Sequence, residues 1–395
     1  MALIRIALIG LSSRTHPSPR TTGGVAWAAR AHLPYLLSPR GRARYQIVGL
    51  LNSSLAASQA AIAAHNLDPA HVRAYSSPAE LAADEEVDLV VCSTRVDKHY
   101  ETVIDSVREG GKDVFCEWPL AEDVTRAREL ADEVRKQGRR GMVGLQGLKA
   151  PVVARVKGLL EEGRIGKVVS SEFRAFGGLN ERAGVPEGLA YMMERKVGGN
   201  VVTIGFAHLF DMVLSTLGEL KSLKGDLHLQ RPENQLKDAS GAVVKTLRSD
   251  VPDLVLVSGK WEESSIMQKN ATLHFRLRRG PPFPGEPCLV WTINGEKGEI
   301  RIVSPHTTFI QLGHPNESHL IEIHDFATDK VETVEWDWAD WQKDLPFPAR
   351  GIGALYEAFA DAKNGRAKED YVTFDVGAKR LETIHGLLED WQREQ

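Results

Sequence analysis

The sequence predicts an α/β protein, with a doubly wound parallel sheet in its N-terminal part and an α+β domain with an open, largely antiparallel sheet after it. Three observations predict this class. The apolar run 4–9 stops at Gly10, short apolar runs alternate with helical patterns up to residue 150, and closely spaced β-like runs follow residue 220. Because 395 residues exceed the usual size of one core, we expect two domains, 1–150 and 151–395.

The first domain is predicted from five apolar runs, each of the length of a strand and separated from the next by a helical pattern. Such runs are typical of parallel strands that are buried on both faces. The predicted strands cover residues 4–9, 45–51, 87–92, 113–116 and 141–145, and the predicted helices cover residues 26–37, 55–64, 99–109 and 124–137, with one more helix starting at the N-cap Ser77.

The second domain is predicted because the regular alternation of apolar runs and helical patterns ends after Pro151. Turn signals such as Asn294-Gly295 separate its short β-like runs, which favours antiparallel pairing. The predicted helices cover 151–162, 199–217, 351–364 and 376–393, the β-like runs cover 168–176, 254–261, 271–277, 289–293, 299–303 and 308–312, and the predicted loops are 13–24 and 230–252. The last two helices could pack back on the first domain.

Composition excludes several classes of function. The formal net charge is −4, which does not favour direct binding to nucleic acid but is compatible with a protein partner. No apolar stretch is long enough to span a bilayer, so we expect no membrane association and a cytoplasmic location, or a nuclear one for a regulator. Cys92, Cys116 and Cys288 have no metal-ligand spacing, so we expect buried thiols and no metal.

Gly10 marks the expected phosphate-binding end of a Rossmann sheet. A glycine after the first strand lets the backbone approach a pyrophosphate, and the following helix supplies amide donors. A complete GxGxxG motif is missing, so a plain turn after the strand is an equal alternative. The second strand ends at Asn52-Ser53, without the acidic residue that would hydrogen-bond to the ribose hydroxyls of NAD. No adjacent Arg is present to bind the 2′-phosphate of NADP. The expected cofactor is therefore NAD or NADP.

Several segments in a fixed order carry a family pattern. They are Ser93-Thr94 with His99, Glu117-Trp118-Pro119, residues 145–151, and residues 198–208 with Asp211 beyond them. Together they resemble the glucose–fructose oxidoreductase, inositol dehydrogenase and MocA (Gfo/Idh/MocA) family. Glu117-Trp118, Leu145-Gln146-Gly147, Trp27 and His32-Leu33-Pro34 further resemble the branch of the family that contains the galactose-pathway repressor of budding yeasts.

The resemblance implies how protons would be handled. In the family's dehydrogenases a Lys of a Glu-Lys-Pro motif, an Asp and a His surround the substrate carbon, which loses a hydride while a base removes the hydroxyl proton. This sequence retains His208, but Trp118 stands at the Lys position and Ile204 at the Asp position. Two of the three expected proton-handling groups are therefore replaced.

His208, Tyr191 and Lys149 are the candidate catalytic residues. His208 is carried over from the family pattern, and its alternative is a hydrogen-bonded histidine on the inner face of a helix. Tyr191 and Lys149 lie in segments that the resemblance places near the cleft, and the alternative for each is a solvated surface residue.

The resemblance and the strand ends also give the residues expected around the cofactor. Glu117 is expected beside the nicotinamide ribose, Trp118 against the nicotinamide or in the core, and His99 on the nicotinamide side or in a structural role. The full set of expected cofactor residues is Gly10, Ser12, Ser13, Asn52, Ser53, Ser93, Thr94, His99, Glu117, Trp118 and Gln146.

Two functions are compatible with these observations. The first is an NAD(P)-dependent oxidoreductase that acts on a hydroxyl or carbonyl group of a sugar, polyol or other small metabolite. The second is a catalytically reduced NAD(P)-binding regulator of transcription that acts through a protein partner. The breadth of the family favours the first, and the replaced Lys and Asp favour the second. For either one we expect a homodimer, because we expect the sheet of the second domain to expose one apolar face, and in the family that the sequence resembles such a face pairs with its twin.

Overall fold

Six strands of the first part form one sheet in the computed structural model, which describes residues 2–14, 27–177, 181–312 and 319–395. Its strands are β1 (Ile4–Ile9), β2 (Tyr45–Leu51), β3 (Arg73–Tyr75), β4 (Leu89–Cys92), β5 (Asp113–Cys116) and β6 (Gly141–Val143). They pair in parallel in the order β3-β2-β1-β4-β5-β6, the order of a Rossmann sheet. The predicted fold class is confirmed, and β3 is a strand that the apolar runs alone do not reveal.

Helices cover both faces of this sheet, and β1 shows why. Its Ile6 and Leu8 face one hydrophobic cluster while Ala7 and Ile9 face another, so the strand is apolar throughout. The helices of this part are α1 (Leu33–Leu37), α2 (Pro39–Arg42), α3 (Leu55–Ala64), α4 (Pro78–Ala83), α5 (His99–Arg108) and α6 (Val124–Lys136). Short helical turns lie at Ala28–His32, Val96–Lys98 and Gln146–Lys149.

Pro34 explains why the first predicted helix is divided. The described part of it consists of a π-helical turn at Ala28–His32, followed by α1, and Pro34 lies in the first turn of α1. Because the backbone stays helical from Ala28 to Leu37, Pro34 removes one N–H from the hydrogen-bond pattern just after the π-helical turn. Residues 15–26 of the predicted loop and helix lie outside the described residues.

The second part builds a larger sheet against two helices. The helices are α7 (Pro151–Glu161) and α8 (Ala207–Leu217), and the sheet contains β7 (Val168–Gly177), β9 (Leu220–His228), β12 (Leu254–Trp261), β13 (Met267–Arg279), β14 (Leu289–Gly295), β15 (Gly298–Ser304), β16 (Leu320–Asp325) and β17 (Lys330–Thr333). Its order is β17-β16-β15-β14-β7-β13-β12-β9, antiparallel except for the parallel pair of β7 and β13.

One face of this sheet is apolar, and it packs on the helices. Phe173 and Phe275 stack with ring centroids 4.4 Å apart, and Phe206 and Phe210 close over Phe275. The opposite face carries polar side chains, as the alternation of a half-buried sheet requires. Alternation along these strands therefore fixes which face meets the core.

Two predictions in this part are wrong. The predicted loop 230–252 contains β10 (Glu233–Lys237) and β11 (Val243–Arg248), and β10 lies between β11 and β8 (Gly184–Pro186) in a three-stranded sheet. These strands are mostly polar, so their β pattern is weak, and Leu236 is one of the few apolar side chains that they bury. The β-like run 308–312 is a helical turn at Ile310–Leu312, because Ser304 Oγ donates to Thr307 O and turns the chain out of the sheet.

The predicted helix 199–217 is continuous but not uniform. Asn200 caps it, with its side-chain oxygen accepting from the amides of Val202 and Thr203. Residues Val201–Phe206 wind as a π-helical turn before α8 begins. Wide turns of this kind are frequent at functional sites. Two short helical turns, Glu187–Met193 and Arg195–Val197, precede this helix.

The last helices return to the first sheet. These are α9 (Asp340–Lys343), α10 (Phe347–Lys363) and α11 (Phe374–Arg393). From α10, Tyr356 stacks on Tyr35 and contacts Phe115, and α11 packs along α6. None of the helices in the described ranges is both long enough and apolar enough to cross a membrane.

Candidate cofactor and substrate site

The carboxyl ends of the parallel strands bring the sequence-predicted residues to one edge of the first sheet. Gly10 ends β1, Ser93 follows β4, and Glu117 follows β5. Gly10 has φ +93°, and a Cβ at this position would lie 2.6 Å from Ser93 O. Only glycine fits here, because a side chain would meet both backbone strain and a clash.

The outer part of this edge holds Ser12, Ser13, Asn52 and Ser53. Asn52 is tied down, since its Nδ2 donates to Leu11 O over 3.0 Å. Ser12 Oγ accepts from a neighbouring backbone amide, and the Ser13 and Ser53 side chains are exposed. These residues lie at the ends of β1 and β2 but do not line the cavity described next.

A cavity of about 430 Å³ opens beside this edge, between the first sheet and the helical segments of the second part. Its lining is aromatic and aliphatic with a few polar groups, as in many small-molecule sites. Eight of the predicted site residues line it: Ser93, Thr94, His99, Glu117, Trp118, Gln146, Tyr191 and His208. The candidate nicotinamide residues and two of the three candidate catalytic residues therefore share one space.

His208 enters this cavity from α8. Burial lowers the pKa of its imidazole to about 4, and the nearby Glu117 opposes that effect only in part. The ring is therefore uncharged at neutral pH. Its Nδ1 has no hydrogen-bond partner among the described residues, so it can still bind a ligand group.

Trp118 and Ile204 occupy the wall where the family's dehydrogenases carry Lys and Asp. The indole Nε1 of Trp118 donates to Thr203 O over 2.6 Å, and the side chain is almost completely buried. Ile204 lines the same cavity. Neither side chain of this wall can take up a proton, and His208 lines the same cavity.

His99 holds two of the loops that line the cavity. Its Nδ1 lies 2.8 Å from Pro119 O and its Nε2 lies 3.1 Å from Thr94 O. Both nitrogens are thus engaged by backbone carbonyl oxygens. His99 fixes the loops after β4 and β5 relative to each other.

Cys92 and Cys116 lie behind His99, with ligand-type atoms of the three residues within 4.8 Å of one another. This proximity is not visible in the sequence spacing. Both thiols are buried. Each nitrogen of His99 lies within hydrogen-bond distance of a backbone carbonyl oxygen, so the imidazole already has a partner at both nitrogens.

Tyr191 and Lys149 have different environments. Tyr191 lines the cavity, burial raises the pKa of its hydroxyl, and the Arg95 guanidinium lies 5.7 Å from its ring centroid. Lys149 does not line the cavity, and its ammonium group pairs with Asp370. Lys149 is therefore separated from the other two candidate catalytic residues.

Gln311 is a cavity residue that the sequence did not reveal. It lies in the helical turn Ile310–Leu312, and its side-chain oxygen is buried without a partner among the described residues, like that of Gln146. Both glutamines pack against Gly351 of α10, where a Cβ would lie 3.2 Å from Gln146 Cγ and 3.3 Å from Gln311 O. No local motif marks Gln311, because only the fold brings it here.

The residues present fit the nicotinamide end of a dinucleotide. Ser93 Oγ and Gln146 Oε1 are buried polar atoms without a partner among the described residues, and they flank Glu117 on the cavity wall. Gly10 gives the close approach that a pyrophosphate needs. Fold and site together define an α/β protein with a Rossmann sheet and a ligand-sized cavity at the edge of that sheet.

Comparison with known families agrees with this class. Residues 23–145 match the model of an oxidoreductase family with an NAD-binding Rossmann fold, and residues 151–304 match the model of the Gal80p C-terminal domain. Together the two matches are consistent with the Gfo/Idh/MocA oxidoreductase family, near the fungal branch that contains Gal80. The resemblance found in the sequence is confirmed.

Relatives in this family include both enzymes and regulators. The dehydrogenase aclE of Aspergillus oryzae is 28% identical over 385 residues, which cover 98% of this chain and 95% of that protein. The galactose/lactose metabolism regulatory protein GAL80 of Kluyveromyces lactis is 26% identical over 308 residues, which cover 76% of this chain and 63% of that protein.

Solved structures show the same fold. A super-repressor mutant of Gal80p from Saccharomyces cerevisiae superposes with a TM-score of 0.83 at 20% identity, covering 100% of this chain and 97% of that one. Levoglucosan dehydrogenase in complex with NADH and L-sorbose superposes with a TM-score of 0.73 at 18% identity, covering 99% of this chain and 97% of that one. At these identities the likeness concerns the fold alone.

Proposed function

We propose that this protein is an NAD(P)-dependent oxidoreductase that acts on a hydroxyl or carbonyl group of a small uncharged metabolite, with His208 as its proton-handling residue. The observation that carries the proposal is the buried, uncharged imidazole of His208, whose Nδ1 is free of partners among the described residues in a cavity next to Glu117. The full-length similarity to a dehydrogenase supports it.

The chemistry divides between the cofactor and the chain. A bound nicotinamide supplies the hydride acceptor or donor. His208 accepts the hydroxyl proton as a general base, and the negative charge of Glu117 favours the protonated imidazole that results. The side-chain amides of Gln146 and Gln311 bind further polar groups of the substrate, and Trp118 and Ile204 exclude water.

The choice of an uncharged substrate follows from the charges on the cavity wall. Arg95 is paired with Asp97, so its charge is already balanced. Glu117 accepts a hydrogen bond from His32. The other polar groups on the wall are amides, hydroxyls and imidazoles, which suit the hydroxyl groups of a sugar or polyol better than an anion.

A second function is supported by Trp118 and Ile204. They replace both other proton-handling groups of the family's dehydrogenases, and the second part of the chain matches the Gal80p C-terminal domain. A regulator that acts through a protein partner would still bind NAD(P) at the edge of the first sheet but would not catalyse a reaction. Such a protein would be found in the nucleus as well as in the cytoplasm, whereas the enzyme would be cytoplasmic.

Turnover separates the two functions. The full chain is incubated with NAD+ or NADP+ and a panel of polyols and sugars, or with the reduced cofactors and a panel of aldehydes and ketones, and nicotinamide absorbance is followed. The oxidoreductase is supported by turnover that His208→Gln abolishes while cofactor affinity is retained. Cofactor binding by calorimetry without turnover of any panel member would favour the regulator.

The same calorimetry decides the cofactor. Asn52 stands where an acid would select NAD, and its amide is engaged with Leu11 O. We therefore propose that both NAD and NADP bind. A preference of more than about 100-fold for one of them, equal to about 2.7 kcal/mol, would show that another residue selects the cofactor.

We further propose that two copies of the chain pair through the polar face of the eight-stranded sheet. A shallow depression of about 510 Å³ over β7, β13, β12 and β9 places Glu172 and Asp226 near Arg276, so the face carries both signs of charge and can complement itself about a two-fold axis. Sedimentation of the wild type, of Arg276→Glu and of the distant control Lys157→Glu tests this. A monomeric wild type would contradict the pairing.

A further inference from the structure

Glu117 is held by a histidine from another part of the chain. The Nε2 atom of His32 lies 2.9 Å from Glu117 Oε1, and the His32 ring has no exposed surface. A carboxylate oxygen accepts only, so Nε2 carries the hydrogen of this bond. This contact joins the first helical segment to the loop after β5.

Tyr356 completes the arrangement from α10. Its hydroxyl lies 2.8 Å from His32 Nδ1. Burial raises the pKa of this hydroxyl well above its ordinary value, and Glu117 adds to the effect, so the hydroxyl keeps its proton. The contacts fit a relay in which the hydroxyl donates to Nδ1 of His32 and Nε2 of His32 donates to Glu117.

Gly144 confines the same carboxylate from the other side. A Cβ at Gly144 would lie 2.5 Å from Glu117 Oε2 and 2.7 Å from Oε1. The Glu117 side chain thus sits between an imidazole and the bare backbone after β6, with few rotamers open to it. Glu117 also lines the cavity and influences the pKa of His208.

We infer that His32, oriented by Tyr356, is a positioning residue that keeps the Glu117 carboxylate aimed at the bound cofactor and at His208. This inference rests on the proposed function, because it requires a nicotinamide cofactor whose ribose lies beside Glu117. It makes the last part of the chain a component of the cofactor site, since Tyr356 orients His32 from α10 without lining the cavity.

The first test is spectroscopic and needs no cofactor. Long-range proton–nitrogen spectra of the full chain, labelled on histidine, report which nitrogen of His32 is protonated. The wild type is expected to show the Nε2–H form with an Nδ1 that accepts a hydrogen bond, and Tyr356→Phe is expected to move the Nδ1 resonance. An Nδ1–H form, or an Nδ1 resonance that Tyr356→Phe leaves in place, overturns the inference.

The second test is cofactor affinity by calorimetry. His32→Leu should weaken binding about tenfold, the usual effect of losing a hydrogen bond to a charged group. His32→Gln, whose amide can still donate to Glu117, should recover most of the loss. Equal affinities of the Leu and Gln variants, or wild-type affinity in His32→Leu, would show a purely structural role.

Tyr45→Phe is the matched control for both tests. The Tyr45 hydroxyl donates to the backbone oxygen of Tyr356 in the same buried aromatic cluster but does not contact His32. Its loss should affect stability and leave the His32 spectrum and cofactor affinity unchanged. If the wild type binds neither NAD nor NADP, the proposed function fails, and the spectra still decide whether His32 positions Glu117.

Discussion

The indole nitrogen of Trp118 donates a hydrogen bond to the backbone oxygen of Thr203 over 2.6 Å, which joins the loop after β5 to the π-helical turn before α8. In the dehydrogenases that the sequence resembles, the position of Trp118 belongs to a lysine. Here the same position connects the two parts of the chain and forms a wall of the cavity. At this residue the side chain therefore packs and hydrogen-bonds within the protein, and it cannot exchange a proton as a lysine could.

Trp118→Phe should destabilise the protein and loosen the cavity. The substitution leaves the buried Thr203 oxygen without its donor, which costs about 1–3 kcal/mol. Urea denaturation measures the loss, and calorimetry measures the accompanying fall in cofactor affinity. Trp261→Phe is the control, because Trp261 Nε1 donates to Thr272 O in the distant sheet. A similar fall in affinity in both variants would mean that Trp118 has no special relation to the site.

His208 should make stability fall as the solution is acidified below pH 6.5. Burial lowers the pKa of His208 to about 4 from the ordinary 6.5. The unfolded chain therefore takes up this proton first, and between pH 6.5 and 4 it binds more protons than the folded chain does. The loss reaches at most about 3 kcal/mol at pH 4 for this one group.

Comparison of variants isolates that contribution. The free energy of unfolding of His208→Gln, measured in urea from pH 7 to pH 4, should fall less steeply than that of the wild type. His71→Gln, at an exposed position before β3, should follow the wild type. Parallel curves for His208→Gln and the wild type would mean that the imidazole is hydrated and titrates normally.

Arg380 of α11 should be needed to keep Asp211 in the core. Its Nε lies 3.1 Å from Asp211 Oδ1, and burial raises the pKa of that carboxyl to about 6 even with Arg380 present. Arg380→Met leaves an unpaired buried charge and should cost about 3 kcal/mol near pH 8. The cost should shrink at pH 5, because the folded chain can then protonate Asp211 while the unfolded chain keeps it ionised.

The double variant Arg380→Met/Asp211→Asn checks this explanation. It removes both charges, so most of the lost stability should return and the pH dependence of the loss should disappear. Thermal unfolding at pH 8 and pH 5 measures both quantities. If the double variant is less stable than Arg380→Met, Arg380 stabilises the fold mainly through Glu219, to which its other nitrogens donate.

The edge of the first sheet could be predicted from the sequence because its signals are local. The apolar runs that end at Gly10, Ser93 and Glu117 are continuous, as buried parallel strands require, and parallel strands bring their carboxyl ends to one edge. The polar strands β10 and β11 could not be predicted in this way, because few of their side chains are buried and alternation is their only signal.

Contacts between distant parts of the chain could not be predicted. Tyr356 meets His32, and Gln311 meets the cavity, only after α10 folds back over the first sheet. Neither residue lies in a motif with a chemical signature. Lys149 shows the converse, since Gln146 in the same helical turn lines the cavity while the ammonium group of Lys149 pairs with Asp370.

Gln311→Leu should weaken substrate binding without weakening the fold. The Gln311 side-chain oxygen is buried and has no partner among the described residues, so its replacement by an apolar group removes a desolvated acceptor and should change the free energy of unfolding by less than about 1 kcal/mol. The Michaelis constant for the substrate found in the panel should rise about tenfold, since a hydrogen bond to the substrate is lost.

Gln342→Leu is the opposite case and serves as the control. The Gln342 side chain is also buried, but its Nε2 donates to Arg350 O and its Oε1 accepts from Ala339 N. Its replacement should cost about 1–3 kcal/mol of stability, because the buried Arg350 O and the partly buried Ala339 N lose their partners, and should leave the Michaelis constant unchanged. If Gln311→Leu behaves like Gln342→Leu in both measurements, Gln311 supports the fold, and the substrate is bound by Gln146 and His208 alone.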